Sequence, residues 1–332
     1  MTTTRDLQRT PSVFTFGEPL VVLVPDAPGL LATTHQLRPY PAGAELNTAV
    51  GLARLGLNVA MGCSVGADAF GQLILKSGRA EGVNMAYVRQ DEAAPTGVFF
   101  KQWSGLKGKT TVYYYRSTSS MAMGGWQPSE ELLRALQART WDWVHSTGIT
   151  WMIGERTRRV ATELLERCHM LELPVSFDVN VRLKLGDVEQ WRACVWEVLP
   201  YLTWFLLGDE EAALLFDTDD AARIEQVLRD RGFSGEGVVL KLGEAGAVAS
   251  VQGAQTRTPA WPVSRVVDTV GAGDGFNAGW IAGMLRGFDL NEALKLGAVV
   301  GAYAVTSMAD YDGYPTWPEA LQELTGKGFV ER

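Results

Sequence analysis

The sequence has little cysteine and little histidine, and this argues against two kinds of stabilised fold. Three residues of each type occur among 332. Cys63, Cys168 and Cys194 are an odd number of widely spaced thiols, a pattern that fits neither a disulfide framework nor a zinc cluster. Free thiols are typical of a reducing compartment. The composition therefore predicts a cytoplasmic protein.

Excess positive charge and long apolar runs are also lacking. The net charge is −8 and the pI about 5.1, whereas a nucleic-acid surface needs clustered lysine and arginine. No apolar stretch approaches the roughly 20 residues that span a bilayer. With 46% hydrophobic and 20% charged residues, the chain is expected to form a globule with a substantial core. Its length suits one large α/β domain or two average ones.

Strand-like runs alternate with helix-like segments along most of the chain. The stretch that begins at Ala42 runs into a predicted helix that includes Leu46 and ends at Gly56, and a strand from Asn58 to Val65 follows. A strand over 175–178 precedes a helix over 188–199. This alternation predicts a mostly parallel sheet with helices on both faces.

Two aromatic runs interrupt this alternation. Residues 96–103 and 110–116 are rich in Phe, Tyr and β-branched side chains, and the Gly-containing stretch 104–109 lies between them. The pattern predicts a hairpin rather than a crossover. Residues 25–41 are rich in Pro, Ala and Thr and predict a loop or short edge strands. We expect these segments to form a small lid beside the main sheet.

The stretch Asp268-Thr-Val-Gly-Ala-Gly-Asp274 lies between a β-branched run and a helix-like segment. Its glycines allow a tight turn and a close approach of the backbone to a ligand. The first N–H groups of a helix have no internal partner, so the junction predicts a phosphate site. A carboxylate there would repel phosphate but could accept the proton of an attacking hydroxyl, which makes Asp274 a candidate catalytic base. The alternative interpretation is that Asp274 is an ordinary helix N-cap.

Further polar residues fall at the predicted carboxyl ends of strands, where ligands of open parallel sheets gather. They are Asn180, Arg182, Glu211, Lys241 and Asp274.

Arg116, on the predicted lid, and Arg182 favour an anionic substrate, because a guanidinium can donate two parallel hydrogen bonds to a carboxylate or phosphate. The alternative is a pair of surface arginines. Asp178 and Glu211 could hold Mg²⁺ directly or through water, and helix caps are the competing interpretation.

The motif that ends at Asp274 resembles the C-terminal signature of the ribokinase-like (PfkB) carbohydrate kinases, and the similarity extends through Gly43-Ala-Glu-Leu-Asn47 to Gly17-Glu18. It implies a three-layer α/β/α fold with a β lid. The implied kinase domain covers residues 12–330, with the lid formed from about 17–41 and 94–120. Within the family, residues 112–116, 144–150 and 180–185 look most like 2-keto-3-deoxygluconate kinases.

The resemblance also implies roles for individual residues, ATP and Mg²⁺ as cofactors, and a monovalent cation as a further ligand. The aromatic strands of the lid predict a homo-oligomer that forms through it, because such strand faces rarely stay uncovered. The implied catalytic residues are Asp274 and, through their backbone amides, Gly271, Ala272 and Gly273. The implied sugar-binding residues are Gly43, Asn47, Phe99, Tyr114, Arg116, Arg182 and Asp310. The implied nucleotide-binding residues are Asn180, Lys241, Gly243, Gly246, Gly271 and Gly273, with Glu211 near the metal.

The chain departs from the family pattern at several positions. Leu183 and Gly186 replace a usual Pro and Trp, Phe99 stands where tyrosine is common, and Gly208 replaces the Asn of a magnesium motif. None of these changes affects Asp274, so phosphoryl transfer is the firmer expectation and the sugar is open. A fructokinase or another neutral-sugar kinase is the alternative. A non-catalytic sugar-binding relative is a further one, which the intact Gly-Ala-Gly-Asp argues against.

Overall fold

The computed structural model describes residues 9–103 and 110–326, and thirteen strands in these ranges form two separate sheets. The strands are β1 (Ser12–Phe16), β2 (Leu20–Pro25), β3 (Leu37–Ala42), β4 (Asn58–Gly66), β5 (Val83–Asp91), β6 (Val98–Trp103), β7 (Thr110–Tyr115), β8 (Trp143–Thr147), β9 (Val175–Asp178), β10 (Trp204–Gly208), β11 (Gly237–Lys241), β12 (Ala247–Val251) and β13 (Ala254–Thr258).

The main sheet has nine strands in the order β13-β12-β11-β10-β9-β8-β1-β4-β5. Every neighbouring pair from β11 to β5 is parallel, and β12 and β13 are added antiparallel at one edge. The central strands β8, β9 and β10 are buried along almost their whole length. Burial on both faces is typical of a parallel sheet that is covered by helices on each side.

Helices cover both faces of the main sheet, which confirms the predicted α/β/α arrangement. The central helix α9 is buried from Asp274 to Gly283. Its first turn lies next to the carboxyl ends of the parallel strands, so the fold brings the predicted base to the edge where ligands bind. The α-helices of the described residues are α1 (Ala44–Arg54), α2 (Ala69–Ala80), α3 (Glu130–Gln137), α4 (Gly148–Met152), α5 (Glu155–Met170), α6 (Val188–Val198), α7 (Asp209–Phe216), α8 (Ala221–Asp230), α9 (Ala272–Leu285), α10 (Leu290–Ala304) and α11 (Trp317–Thr325).

The second sheet has the order β3-β2-β6-β7. Strands β6 and β7 pair antiparallel and β2 pairs parallel with β6, so the predicted hairpin is confirmed, although its turn at 104–109 lies outside the described residues. The segment predicted as a loop or edge strand contains β3 at the sheet edge. Pro39 and Pro41 fit there because an edge strand tolerates residues that donate no N–H to a second neighbour.

Candidate active site

A cavity of about 900 Å³ lies between the carboxyl edge of the main sheet and the second sheet. Parallel-sheet proteins bind ligands at this edge, and the volume is that of a typical small-molecule site. Most of the predicted site residues line it. These are Gly43, Asn47, Phe99, Tyr114, Arg116, Asp178, Asn180, Arg182, Glu211, Lys241, Gly243, Gly271, Gly273, Asp274 and Asp310.

Two of the predicted residues lie outside this cavity wall. Gly246 is at a turn with φ of 94°, packed against the backbone of Thr258 and Pro259. Ala272 begins α9, and its amide donates to the Thr269 carbonyl at 3.3 Å. The Ala272 amide was predicted to donate to a bound anion, but it already donates a hydrogen bond within the chain.

The segment 268–274, called the anion loop below, leads directly into α9. Its turn requires Gly271, because φ is 86° and a Cβ atom would lie 2.1 Å from the Asp310 carbonyl oxygen. Within the described ranges, the amides of Gly273 and Asp274 donate to no backbone carbonyl. Free amides at the positive end of a helix form an anion site.

Asp274 is the third residue of α9, whose N-cap is Gly271, so the interpretation of Asp274 as an N-cap is wrong. Its carboxylate is instead held by two asparagine side chains. Asn47 Nδ2 donates to Oδ2 at 2.8 Å, and Asn180 Nδ2 donates to Oδ1 at 3.4 Å. Asn180 reaches this position with φ of 50°, a left-handed conformation that asparagine tolerates better than most residues. Two neutral donors fix the carboxylate without neutralising it.

Burial raises the pKa of Asp274 to about 7. The hydrogen bond from Asn47 opposes this increase, the negative charge of Asp178 adds to it, and Lys241 and Arg182 oppose it. A pKa near the operating pH is the value that suits a general base.

Asp178, Lys241 and Asn277 form a polar cluster beside Asp274. Lys241 Nζ donates to Asp178 Oδ2 at 2.7 Å, and Asn277 Nδ2 donates to the same oxygen at 2.7 Å. Asp178 Oδ1 is buried and has no hydrogen-bond partner in the described part of the chain. Asn277 was not predicted as a site residue. It lies one helical turn after Asp274, and this spacing places the two side chains on the same face of α9.

Glu211 accepts two backbone hydrogen bonds on the wall of the cavity. Its Oε2 accepts from the Gly208 amide at 2.7 Å and its Oε1 from the Val181 amide at 2.6 Å. Burial raises the pKa of Glu211, and the charge of Asp178 adds to the shift. No group of three His, Cys, Asp or Glu residues that could hold a metal occurs among residues 9–103 and 110–326.

The guanidinium of Arg116 is paired within the protein, whereas the sequence predicted that it binds an anionic substrate. It is 6% exposed and forms an ion pair with Glu18, to which its Nε donates at 2.6 Å. Ser119 donates its hydroxyl to the other oxygen of Glu18. Glu18 was not identified from the sequence as a site residue, because its partner lies far along the chain. The charge of Arg116 is thus largely balanced inside the protein.

Arg182 and Lys184 lie on the loop after β9 and have no carboxylate within ion-pair distance in the described ranges. Arg182 Nη1 donates to the carbonyl of its neighbour Val181 at 2.8 Å. Lys184 Nζ donates to the Val112 carbonyl on β7 at 2.6 Å and lies 5.8 Å from the centroid of the Tyr114 ring. These two cations retain charge that an anionic ligand could use.

Comparisons with known proteins show which family the chain belongs to. A family model described as pfkB family carbohydrate kinase matches residues 10–317. A 2-dehydro-3-deoxygluconokinase of Bacillus subtilis (strain 168) is 32% identical over 324 residues, 96% of this chain and 97% of that protein. A fructokinase of Klebsiella pneumoniae is 30% identical over 310 residues, 91% of this chain and 96% of that protein. The crystal structure of a PfkB protein from Polaromonas sp. JS666 is 31% identical, covers 93% of this chain and 99% of its own, and matches with a TM-score of 0.80. The chain therefore has the ribokinase-like fold and belongs to the pfkB family of carbohydrate kinases.

Proposed function

We propose that this carbohydrate kinase phosphorylates 2-keto-3-deoxygluconate at its 6-hydroxyl, with ATP as phosphoryl donor and Mg²⁺ as metal. The observation that carries the proposal is the position of Asp274, a buried carboxylate beside two free amides at the start of α9. Arg182 and Lys184 line the cavity and form no ion pair with a carboxylate of the described ranges, and they support an acidic sugar. The Bacillus subtilis relative, a 2-dehydro-3-deoxygluconokinase, supports the same substrate.

The residues present fit ATP and Mg²⁺. The free amides of the anion loop suit a phosphate, and Lys241, Asn180 and Gly243 line the same cavity. The buried Asp178 Oδ1 suits a hydrated cation, since Mg²⁺ keeps several waters and uses few protein ligands. When bound, ATP supplies the transferred phosphoryl group and Mg²⁺ balances its charge. Glu211, with both oxygens engaged by amides, would act through water.

Asp274 performs the proton transfer in this proposal. Its carboxylate accepts the proton of the attacking sugar hydroxyl, while Asn47 and Asn180 keep its two oxygens oriented. The Gly273 and Asp274 amides donate to the negative charge that develops on the transferred group. Asn47 also contacts Asp310, so one side chain orients both carboxylates.

A neutral-sugar kinase is the second candidate, and one contact favours it. The ion pair with Glu18 balances the charge of Arg116, which leaves less positive charge for a substrate carboxylate than the sequence suggested. The fructokinase relative agrees with this alternative.

A sugar panel in a coupled assay of ADP release distinguishes the two candidates. We expect the highest kcat/KM with 2-keto-3-deoxygluconate and much lower values with fructose and ribose. Equal or better turnover of fructose or ribose would contradict the acid assignment. An Asp274→Asn protein prepared in the same way controls for contaminating kinases, because its own turnover of every sugar should be strongly reduced.

The outer face of the second sheet is expected to pair with a second copy of the chain. Tyr113 and Tyr115 are 42% and 67% exposed there, and exposed aromatic strand faces are rarely left uncovered. Analytical ultracentrifugation at micromolar concentration should show a dimer, and Tyr115→Glu should shift it to monomer by placing a charge in the interface. Met170→Glu, at a 72% exposed position on α5, should leave the dimer intact. A wild-type protein that sediments only as a monomer would exclude this assembly.

A further inference from the structure

Lys101 is a lysine buried between the second sheet and the anion loop. It lies on β6, and its side chain is 1% exposed. Its ammonium donates to Asp268 Oδ2 at 2.9 Å, to Asp310 Oδ1 at 2.7 Å and to the Met308 carbonyl at 3.4 Å. A lysine has three N–H donors, and all three have a partner. The charge is therefore fixed in one geometry.

The first of these carboxylates shapes the anion loop. Asp268 is its first residue, and the second oxygen of its side chain accepts from the Val270 amide at 3.2 Å. The ammonium and this amide hold the Asp268 carboxylate from both sides. Lys101 thereby holds the side chain at the start of the anion loop in place.

The second carboxylate connects Lys101 to the base. Asp310 Oδ2 accepts from Asn47 Nδ2 at 3.3 Å, and the same amide donates to Asp274 Oδ2 at 2.8 Å. The backbone of Asp310 also packs against Gly271, where no Cβ atom would fit. A shift of Asp310 would therefore move both the turn of the loop and the carboxylate that accepts the proton.

Without a cation at this position, two buried carboxylates would lack charge compensation, which is strongly unfavourable. A separate monovalent cation would need oxygen ligands, and the three converging oxygens here are already bound by the ammonium. The residues present therefore do not fit a monovalent cation at this place.

We propose that Lys101 is a positioning residue that supplies the cation of the anion loop from within the chain, so that activity requires no added monovalent cation. The proposal rests on the kinase chemistry of Asp274 but not on the identity of the sugar. Its test uses whichever sugar of the panel is turned over fastest, and failure of the acid assignment leaves it intact.

The experiment measures kcat with tetramethylammonium as the only added monovalent cation, and then with K⁺ or NH₄⁺ added. We expect wild-type kcat to stay within about twofold across the series. Lys101→Met should lower kcat roughly ten- to a hundredfold, the cost of a lost charge-assisted hydrogen bond near the base. Added NH₄⁺, which is small enough to replace the lost ammonium, should restore part of it. Lys76→Met, an exposed lysine on α2, serves as the matched control.

Two outcomes would overturn the proposal. One is a wild-type enzyme that K⁺ stimulates more than about fivefold, and the other is a Lys101→Met protein with wild-type kcat in tetramethylammonium. If Lys101→Met does not fold, the double variant Lys101→Met/Asp268→Asn replaces it, because removing one carboxylate reduces the uncompensated charge. The same loss of kcat and the same partial recovery with NH₄⁺ are expected of the double variant.

Discussion

Replacing Asp274 by asparagine should lower kcat by roughly 10²–10⁴-fold, the contribution of a positioned general base. Asparagine has nearly the shape of aspartate, and its carbonyl oxygen can still accept from Asn47, but it takes no proton. The KM for ATP should change little, because the free amides of the anion loop remain. Steady-state kinetics with both substrates and a thermal melt of each protein measure the effect.

Asp230→Asn, at an exposed position on α8, is the matched control and should have wild-type kinetics. A folded Asp274→Asn protein that retains more than about a tenth of wild-type turnover would show that Asp274 has only a structural role.

The pH profile is a second measurement of the same role. Asp274 acts when ionised and its pKa is raised to about 7, so wild-type kcat/KM should rise with pH up to about 7 and level off above it. A profile flat from pH 5 to 8 would contradict this assignment.

The anion loop and its base were predictable from sequence because their determinants are local. Glycines before an apolar helical segment specify the turn, and the helix that follows supplies the unpaired amides. The alternation of strands and helices then indicated that Asn180 and Lys241 meet Asp274 at one sheet edge. The structure brings them there, with Asn180 in contact with the base.

The buried charge pairs could not be predicted in this way. Lys101 is 167 residues from Asp268 and 209 from Asp310, and Glu18 is 98 residues from Arg116. Periodicity places a residue on a face but does not identify which distant charge shares its pocket. A single lysine in an aromatic strand is normally predicted to face solvent. Lys101 instead lies on the inward face of β6.

Several secondary-structure elements were also missed, β5 and α3 among them, for a related reason. Strand β5 is the edge of the main sheet and six of its nine residues are exposed or partly exposed, so it lacks the apolar pattern that marks a buried strand. Helix α3 has only eight residues and buries only Leu132 and Leu136. A helix this short owes its structure to packing against the rest of the protein.

The ion pair with Glu18 changes how the selectivity of the pocket must be tested. Replacing Arg116 by methionine removes a cation from the cavity wall, but it also leaves Glu18 buried without its partner. Breaking a buried pair costs about 3–5 kcal/mol of stability. Any change in the activity of the single variant would therefore combine lost substrate recognition with a disturbed pocket. The stability of each protein must be measured alongside its activity.

Four proteins separate the two effects: wild type, Glu18→Gln, Arg116→Met and the double variant. The quantity to compare is the ratio of kcat/KM for 2-keto-3-deoxygluconate to that for fructose. If Arg116 contacts a substrate carboxylate, its loss removes a charge-assisted hydrogen bond worth about 1.5–3 kcal/mol, so the ratio should fall roughly ten- to a hundredfold. The double variant should show the same fall in the ratio and a higher melting temperature than Arg116→Met.

Glu18→Gln is the control that keeps the guanidinium and removes the charge that competes for it. Its ratio should equal or exceed that of the wild type, because Arg116 then has more of its charge available to an acidic substrate. Arg116→Met and the double variant could instead lose efficiency equally with the acid and with fructose. In that case the only role of Arg116 is to hold Glu18 in the wall of the pocket. Recognition of an acid would then depend on Arg182 and Lys184 alone, and fructokinase would become the leading assignment.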